Sequence, residues 1–284
     1  MVVTSSLGGP LDPEAVKPVK GKFISKHSPS HVDCLVGAKE GPNYKEDCYK
    51  YLNKIRPAEV ISFSGLNTRK LLGKIWKVSP HSPPTLESCG DPLPIPSGKH
   101  ENKTVPQVMK NVSGVKFLSI IYGSNNRNFF TLNIPIENVL QMFFTELNLL
   151  LGESNFEAVF ISTVFPRAED LSENGEIQTQ IKEFNDYFLS HKARSNRKLR
   201  IFSKNGGDEE RIIRWVPVDM TKHLPYHDMK NEKYYCEKNS YKNNDRKDLT
   251  HINAKYLKLF YLELDSTIVK YIQDKKKFKK RRLV

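Results

Sequence analysis

No stretch of the chain approaches the roughly 18 consecutive apolar residues that a membrane span requires. The opening run from Met1 to Pro10 has no basic segment followed by an apolar one, the pattern that directs secretion. The chain therefore reads as intracellular, cytoplasmic or nuclear, with no membrane partner. Cysteine is scarce as well: Cys34, Cys48, Cys89 and Cys236 are scattered with no Cys-x-x-Cys pair, which argues against a disulfide framework or a zinc ribbon. His31, Cys34 and Cys48 have loop-like flanks and no second tight pair. Pro225, between His223 and His227, breaks the helix that would aim both rings at one ion. Neither a metal nor a cofactor is expected. P-loop, zinc-finger and RNP patterns are missing too, so nothing beyond charge points to nucleic acid. Two sequons, at Asn102 and Asn111, carry little weight without a secretory route.

What the sequence does have is length and positive charge. Its 284 residues, 38% of them hydrophobic, suffice for one sizeable α/β domain with flanking segments. The net charge is +13, and Lys275, Lys276, Lys277, Lys279, Lys280, Arg281 and Arg282 supply seven of those charges. Residues 274–284 read as a basic tail: a nuclear-import signal, a weak nucleic-acid contact, or a solvated terminus. Residues 1–55, rich in Pro, Lys, Ser and Gly, read as a flexible N-terminal arm with room for a short helix near Lys45 to Leu52. The folded domain is expected over 56–273.

Within that domain strands and helices alternate. Val60 to Phe63 is a short apolar run closed by a glycine, and Thr68 to Ile75 has helical composition. From Val78 to Lys103 prolines and glycines predict an irregular excursion, with at most a short strand at Ile75 to Val78. Val115 to Ile121 reads as a buried strand. Pro135 then opens a helix in which Ile136, Val139, Leu140, Phe143, Leu147 and Leu150 share one face, ended by Gly152. Ala158 to Val164 is a third apolar strand, followed by Ile177, Ile181, Phe184 and Phe188 at helical spacing. Arg200 to Phe202 and Trp215 to Val218 are further strand material. A last helix begins near Asn253, with Tyr256, Phe260, Leu264, Ile268 and Ile272 along one ridge. Such alternation predicts a mostly parallel sheet covered on both faces, a three-layer α/β/α sandwich, with its chemistry beyond the carboxyl ends of the strands.

Asp248-Leu249-Thr250-His251 stands just before the last helix, a spacing at which a carboxylate can orient an imidazole base, as acyl transfer requires. That segment, continued by Ile252-Asn253, resembles the Asp-x-x-His-Leu-Asn segment of Ser-Gly-Asn-His (GDSL-type) hydrolases. Gly123-Ser124-Asn125-Asn126 resembles their Gly-x-Asn-Asp segment. Val159 to Arg167 is similar to the apolar strand ending in Pro-Arg seen in many members, including esterase-like domains of animal retroelements.

The resemblance covers residues from about 58 to 273 in the right order. It implies a flavodoxin-like sheet, His251 as general base, Asp248 as its orienter, and Asn125 with Gly123 at the oxyanion hole. Where the family has Gly-Asp-Ser on its first strand, this chain reads Phe63-Ser64-Gly65-Leu66-Asn67-Thr68-Arg69, so the nucleophile aligns with Asn67 or Leu66. Ser64 or Thr68 would have to substitute. The family's glycine donor falls on Gly73, Gly90 or Gly98. Three functions stay open: a weak or inactive member of this ester hydrolase family, an active serine esterase or deacylase using Ser64 on a small acyl ester, and a retroelement-derived accessory protein that binds nucleic acid.

Overall fold

The computed structural model describes residues 1–4, 16–19, 22–25, 60–62, 66–79, 82–96, 100–121, 134–152, 154–165, 167, 176–190, 198–202, 210–224, 234–236, 248–252 and 254–281. Twelve strands are described. β1 (Val2–Thr4), β4 (Val60–Ser62), β7 (Phe117–Ile121), β8 (Ala158–Ser162), β9 (Lys198–Phe202) and β10 (Glu210–Val218) form one six-stranded sheet in the order β4-β1-β7-β8-β10-β9. Every pairing from β4 to β10 is parallel, and only β9 runs antiparallel, against β10. The other strands make three antiparallel pairs: β2 (Val16–Val19) with β3 (Lys22–Ser25), β5 (Lys74–Ser79) with β6 (Ser82–Ser88), and β11 (Tyr235–Cys236) with β12 (Asp248–Ile252). Five helices are described: α1 (Thr68–Leu72), α2 (Val105–Asn111), α3 (Ile136–Leu151), α4 (Glu176–Leu189) and α5 (Ala254–Arg281). The architecture is α/β with a mixed, mostly parallel sheet.

β8 is buried at all five positions, which is why it reads as an unbroken apolar run. Its side chains split by parity. Val159 and Ile161 join the core with Val139, Met142, Phe143, Leu147 and Leu151 of α3 and with Ile181, Phe184 and Phe188 of α4. Phe160 instead meets Phe117 and Tyr271 of α5, edge to face, with ring centroids 5.7 Å away in each case. Helix α3 forms because its apolar residues recur at the three-and-four spacing, and its buried set follows the stripe read from sequence, with Met142, Glu146 and Leu151 added.

α5 runs opposite to the strands. Near its start Phe260 packs on Phe165, just past the carboxyl end of β8, at 5.7 Å. One residue turn further on, Glu263 takes the ammonium of Lys222, which follows β10, at 2.5 Å. Towards its far end Tyr271 meets Phe117, the first residue of β7, at 5.8 Å, and Lys275 pairs with Glu157, the residue before β8. The helix thus leads from the carboxyl ends of the strands to their amino ends.

Three expectations need correction. Val2–Thr4, inside the stretch read as an arm, is a strand flanked on both sides by parallel partners. Three β-branched residues among polar neighbours give no local pattern, and the pairing is supplied by β4 and β7. Within the stretch read as a basic tail, α5 continues through Arg281, so most of the basic run is helical. The helix after β4 stops at Leu72, where Gly73 adopts φ +64 and its N–H bonds to Arg69 O at 2.9 Å. The excursion after it contains a hairpin, and the unforeseen α2 opens on a capping box between Thr104 and Gln107. Pro83 and Pro84 lie in β6 where the register with β5 is irregular, so they interrupt no regular ladder bond.

Candidate functional site

In an open parallel sheet the place for a ligand is beyond the carboxyl ends of the strands, where the connections diverge to opposite sides. Here β1 is followed by β4 on one flank, and the chain then returns to β7 on the other before continuing through β8 and β10. The divergence lies between β1 and β7. The carboxyl ends of β1, β4 and β7 therefore lie at one end of the sheet.

The carboxyl ends of β8 and β10 are tied together there. Thr163 donates its N–H to Val218 O at 3.1 Å, and its Oγ1 accepts from Met220 N at 3.2 Å. Val164 is clamped by the fully buried Asn185 of α4: Val164 N donates to Asn185 Oδ1 at 2.8 Å, and Asn185 Nδ2 donates to Val164 O at 2.9 Å. An alanine at 185 strips a buried backbone donor and acceptor of this partner together. Asn185→Ala should therefore cost about 2–3 kcal/mol, read as a lower urea midpoint at unchanged slope.

Of the residues singled out from sequence, Asp248 and His251 lie on β12, two residues short of α5 in the case of His251 and at the first strand position in the case of Asp248. The early turns of α5 lie beyond the carboxyl ends of β8 and β10. Ser64, Gly123 and Asn125 lie outside the described residues, as does Gly98. Asn67 and Leu66, on which the nucleophile was aligned, have structural occupations. Asn67 caps α1, its Oδ1 accepting from Lys70 N at 3.1 Å, and Leu66 is buried. Thr68 is occupied as well, donating to Glu146 Oε1 at 2.5 Å. Partial burial lowers the Lys70 ammonium below its ordinary range. Gly73 serves the fold: a Cβ there would lie 2.3 Å from Gly90 O, so the base of the β5/β6 hairpin closes only over a glycine. Gly90 has φ +128 at the same junction.

What sequence reading missed is the true first strand of the sheet. Thr4, the last residue of β1, is followed in the chain by Ser5 and Ser6. The available signal was Val2-Val3-Thr4, β-branched and followed by small polar residues, which is too short to stand out from an arm.

Among the described residues no cluster of His, Cys, Asp and Glu could hold a metal ion, and no helix is long and apolar enough to cross a membrane. Two solved structures resemble the chain. One is a carbohydrate esterase family 3 protein from Talaromyces cellulolyticus, 11% identical, with 96% of this chain and 97% of that one covered at a TM-score of 0.40. The other is Est24, a carbohydrate acetylesterase from Sinorhizobium meliloti, also 11% identical, with 95% and 99% covered at a TM-score of 0.42. No family model matches the chain, and no curated protein matches it.

Proposed function

We propose that the chain is an ester hydrolase of the Ser-Gly-Asn-His type, a three-layer α/β/α domain that cleaves a small acyl ester and takes its nucleophile from the segment after β1. The observation that carries this reading is the sheet order, with β1 at the divergence between β4 and β7. Once β1 counts as the first strand, Gly-Asp-Ser aligns with Thr4-Ser5-Ser6, which keeps the serine as Ser6. The turn after β4 then stops being the nucleophile station and becomes the glycine station, with Gly65 as its glycine. Asn125 follows β7, and Asp248 and His251 precede α5, so the four stations keep the order serine, glycine, asparagine, histidine along the chain.

The chemistry asked of these residues is ordinary acyl transfer. His251 takes the proton from the serine hydroxyl as its oxygen attacks the acyl carbon, and Asp248 fixes the imidazole tautomer. The Asn125 amide and backbone N–H groups, with Gly123 and Gly65 as the candidates, stabilise the oxyanion. His251 then protonates the departing alkoxide, and water admitted to the acyl-enzyme repeats the sequence to release the acid. The contacts of α3 and α4 on one face of β8, and of α5 on the other, support the layered arrangement.

The test is labelling by a fluorophosphonate probe with peptide mapping, alongside hydrolysis of p-nitrophenyl acetate and butyrate, on the full chain and on Ser6→Ala, Ser64→Ala and His251→Ala. The expected pattern is a label on Ser6, lost in Ser6→Ala and His251→Ala and retained in Ser64→Ala. A label that maps to Ser64 would return the nucleophile to the turn after β4. A chain that takes no label and hydrolyses neither ester would sink the hydrolase reading and leave a fold without the chemistry.

A further inference from the structure

The opposite end of the sheet, at the amino ends of the strands, carries a basic surface assembled from three distant parts of the chain. A cavity of about 390 Å³ opens there between the end of α2 and the starts of β7 and β8, lined by residues 110–116 together with Asn155 and Glu157. Lys110 and Lys116 stand on its rim, and Arg211, at the start of β10, reaches Asn155 Oδ1 at 3.4 Å and Leu151 O at 3.0 Å. Among the described residues the one carboxylate lining the cavity is Glu157, which serves two lysines: Lys275 by a direct hydrogen bond and Lys116 at 3.7 Å. That contact seats the basic end of α5 against the cavity. Lys276 and Lys277 beyond it are exposed, and Lys279, Lys280 and Arg281 continue the same helix.

We infer that this composite surface binds the phosphate backbone of a nucleic acid, with Lys110, Lys116 and Lys275 flanking one phosphate position and the following turns of α5 supplying the next. Three points on the surface favour this occupant. The cations outnumber the carboxylates at the cavity, so a polyanion finds net attraction there. They come from α2, the residue before β7, and α5, giving a spread of positive charge in place of a single point. Residues 275–284 offer only Phe278, Leu283 and Val284 as apolar side chains among seven cations, so no apolar stripe exists to insert between lipid tails. Binding of this kind reads charge spacing and not bases. It is independent of the hydrolase reading, because it uses the other end of the sheet, about 15 Å away along strands of five residues.

The experiment is fluorescence anisotropy of the full chain with a labelled oligouridylate and with a DNA duplex, each about twenty units long, from about 50 to about 200 mM salt. Lys110→Ala/Lys116→Ala is compared with the parent, both checked for an unchanged melting curve. These two lysines lie far from the end of α5 in sequence. The expected result is salt-dependent binding that the double substitution weakens on the order of tenfold, with the slope of log affinity against log salt reduced by about two. Which of the two nucleic acids binds more tightly identifies the source of the phosphates. Binding that is unaffected by the double substitution would assign the affinity to the end of α5 alone and overturn the composite site. So would capture by vesicles of anionic lipid without binding to either nucleic acid.

Discussion

Glu146→Ala is expected to destabilise the protein by about 3 kcal/mol, through two donors left behind and not through the charge removed. Glu146 is 1% exposed on α3, and its Oε1 accepts from Thr68 Oγ1 and from Trp76 Nε1, each at 2.5 Å. It therefore joins the helix that follows β4, the first strand of the β5/β6 hairpin, and the central helix of the core. Removing one acceptor from two buried or half-buried donors costs their desolvation in full, offset in part because a buried carboxylate is itself unfavourable. Glu146→Gln separates the two contributions. Its carbonyl oxygen can still accept from both groups, so it should lose about 1 kcal/mol. Equal losses for Ala and Gln, measured by urea unfolding, would show that the charge and not the acceptor matters.

Phe188→Ala should cost more, about 3–5 kcal/mol, or roughly 10 °C in melting temperature. Phe188 is 1% exposed, and its ring centroid lies 4.7 Å from that of Phe184, 5.0 Å from Trp215, 5.4 Å from Phe143 and 5.8 Å from Phe144. These partners come from α3, α4 and β10, so the ring closes the space among two helices and the sheet. A truncation to alanine leaves a cavity bounded by four rings whose own positions are fixed by mutual edge contacts, and such a wall relaxes little. Phe188→Leu refills part of the volume and should recover about half the loss. A cost below about 1.5 kcal/mol for the alanine variant would mean that α4 shifts to close the gap.

The parts of the fold legible in the sequence are those whose pattern is local. The stripe from Val139 to Leu150 and the spacing of Ile181, Phe184 and Phe188 identify their helices and the faces they bury, because each residue's neighbours on the helix are only three or four positions away. β8 is legible for the opposite reason, being buried on both faces and so uniformly apolar. The mostly parallel pairing was legible, but the segment that supplies β1 was not. Val2-Val3-Thr4 has the composition of a strand but the length of a turn, and what makes it one is its ladder with Val60–Ser62 and Ser119–Ile121. The proposed alignment of the family's serine rests on that strand: with β1 counted, Ser6 becomes available beside Ser64 as a nucleophile to test. The last helix was legible from its periodic ridge, and Asp248 and His251 lie on the short strand before it.

The position of β1 has a consequence for how the chain folds. Val2 must find Val60 on one side and Ser119 on the other, and the main chain of Met1 already joins β7 through the bonds to Phe117 O at 2.8 Å and from Ser119 N at 2.8 Å. No neighbouring segment can hold those three residues in advance, so the middle of the sheet is the part with the highest loop-closure entropy to overcome. On a ribosome, the first strand to be made waits for β7 to emerge before the parallel ladder can close around it. Until then β1 and β4 present open edges to other chains. The protein is thus most exposed to misassembly in the interval between completing α1 and completing β7, and folding speed is set there by topology and not by the helices that pack afterwards.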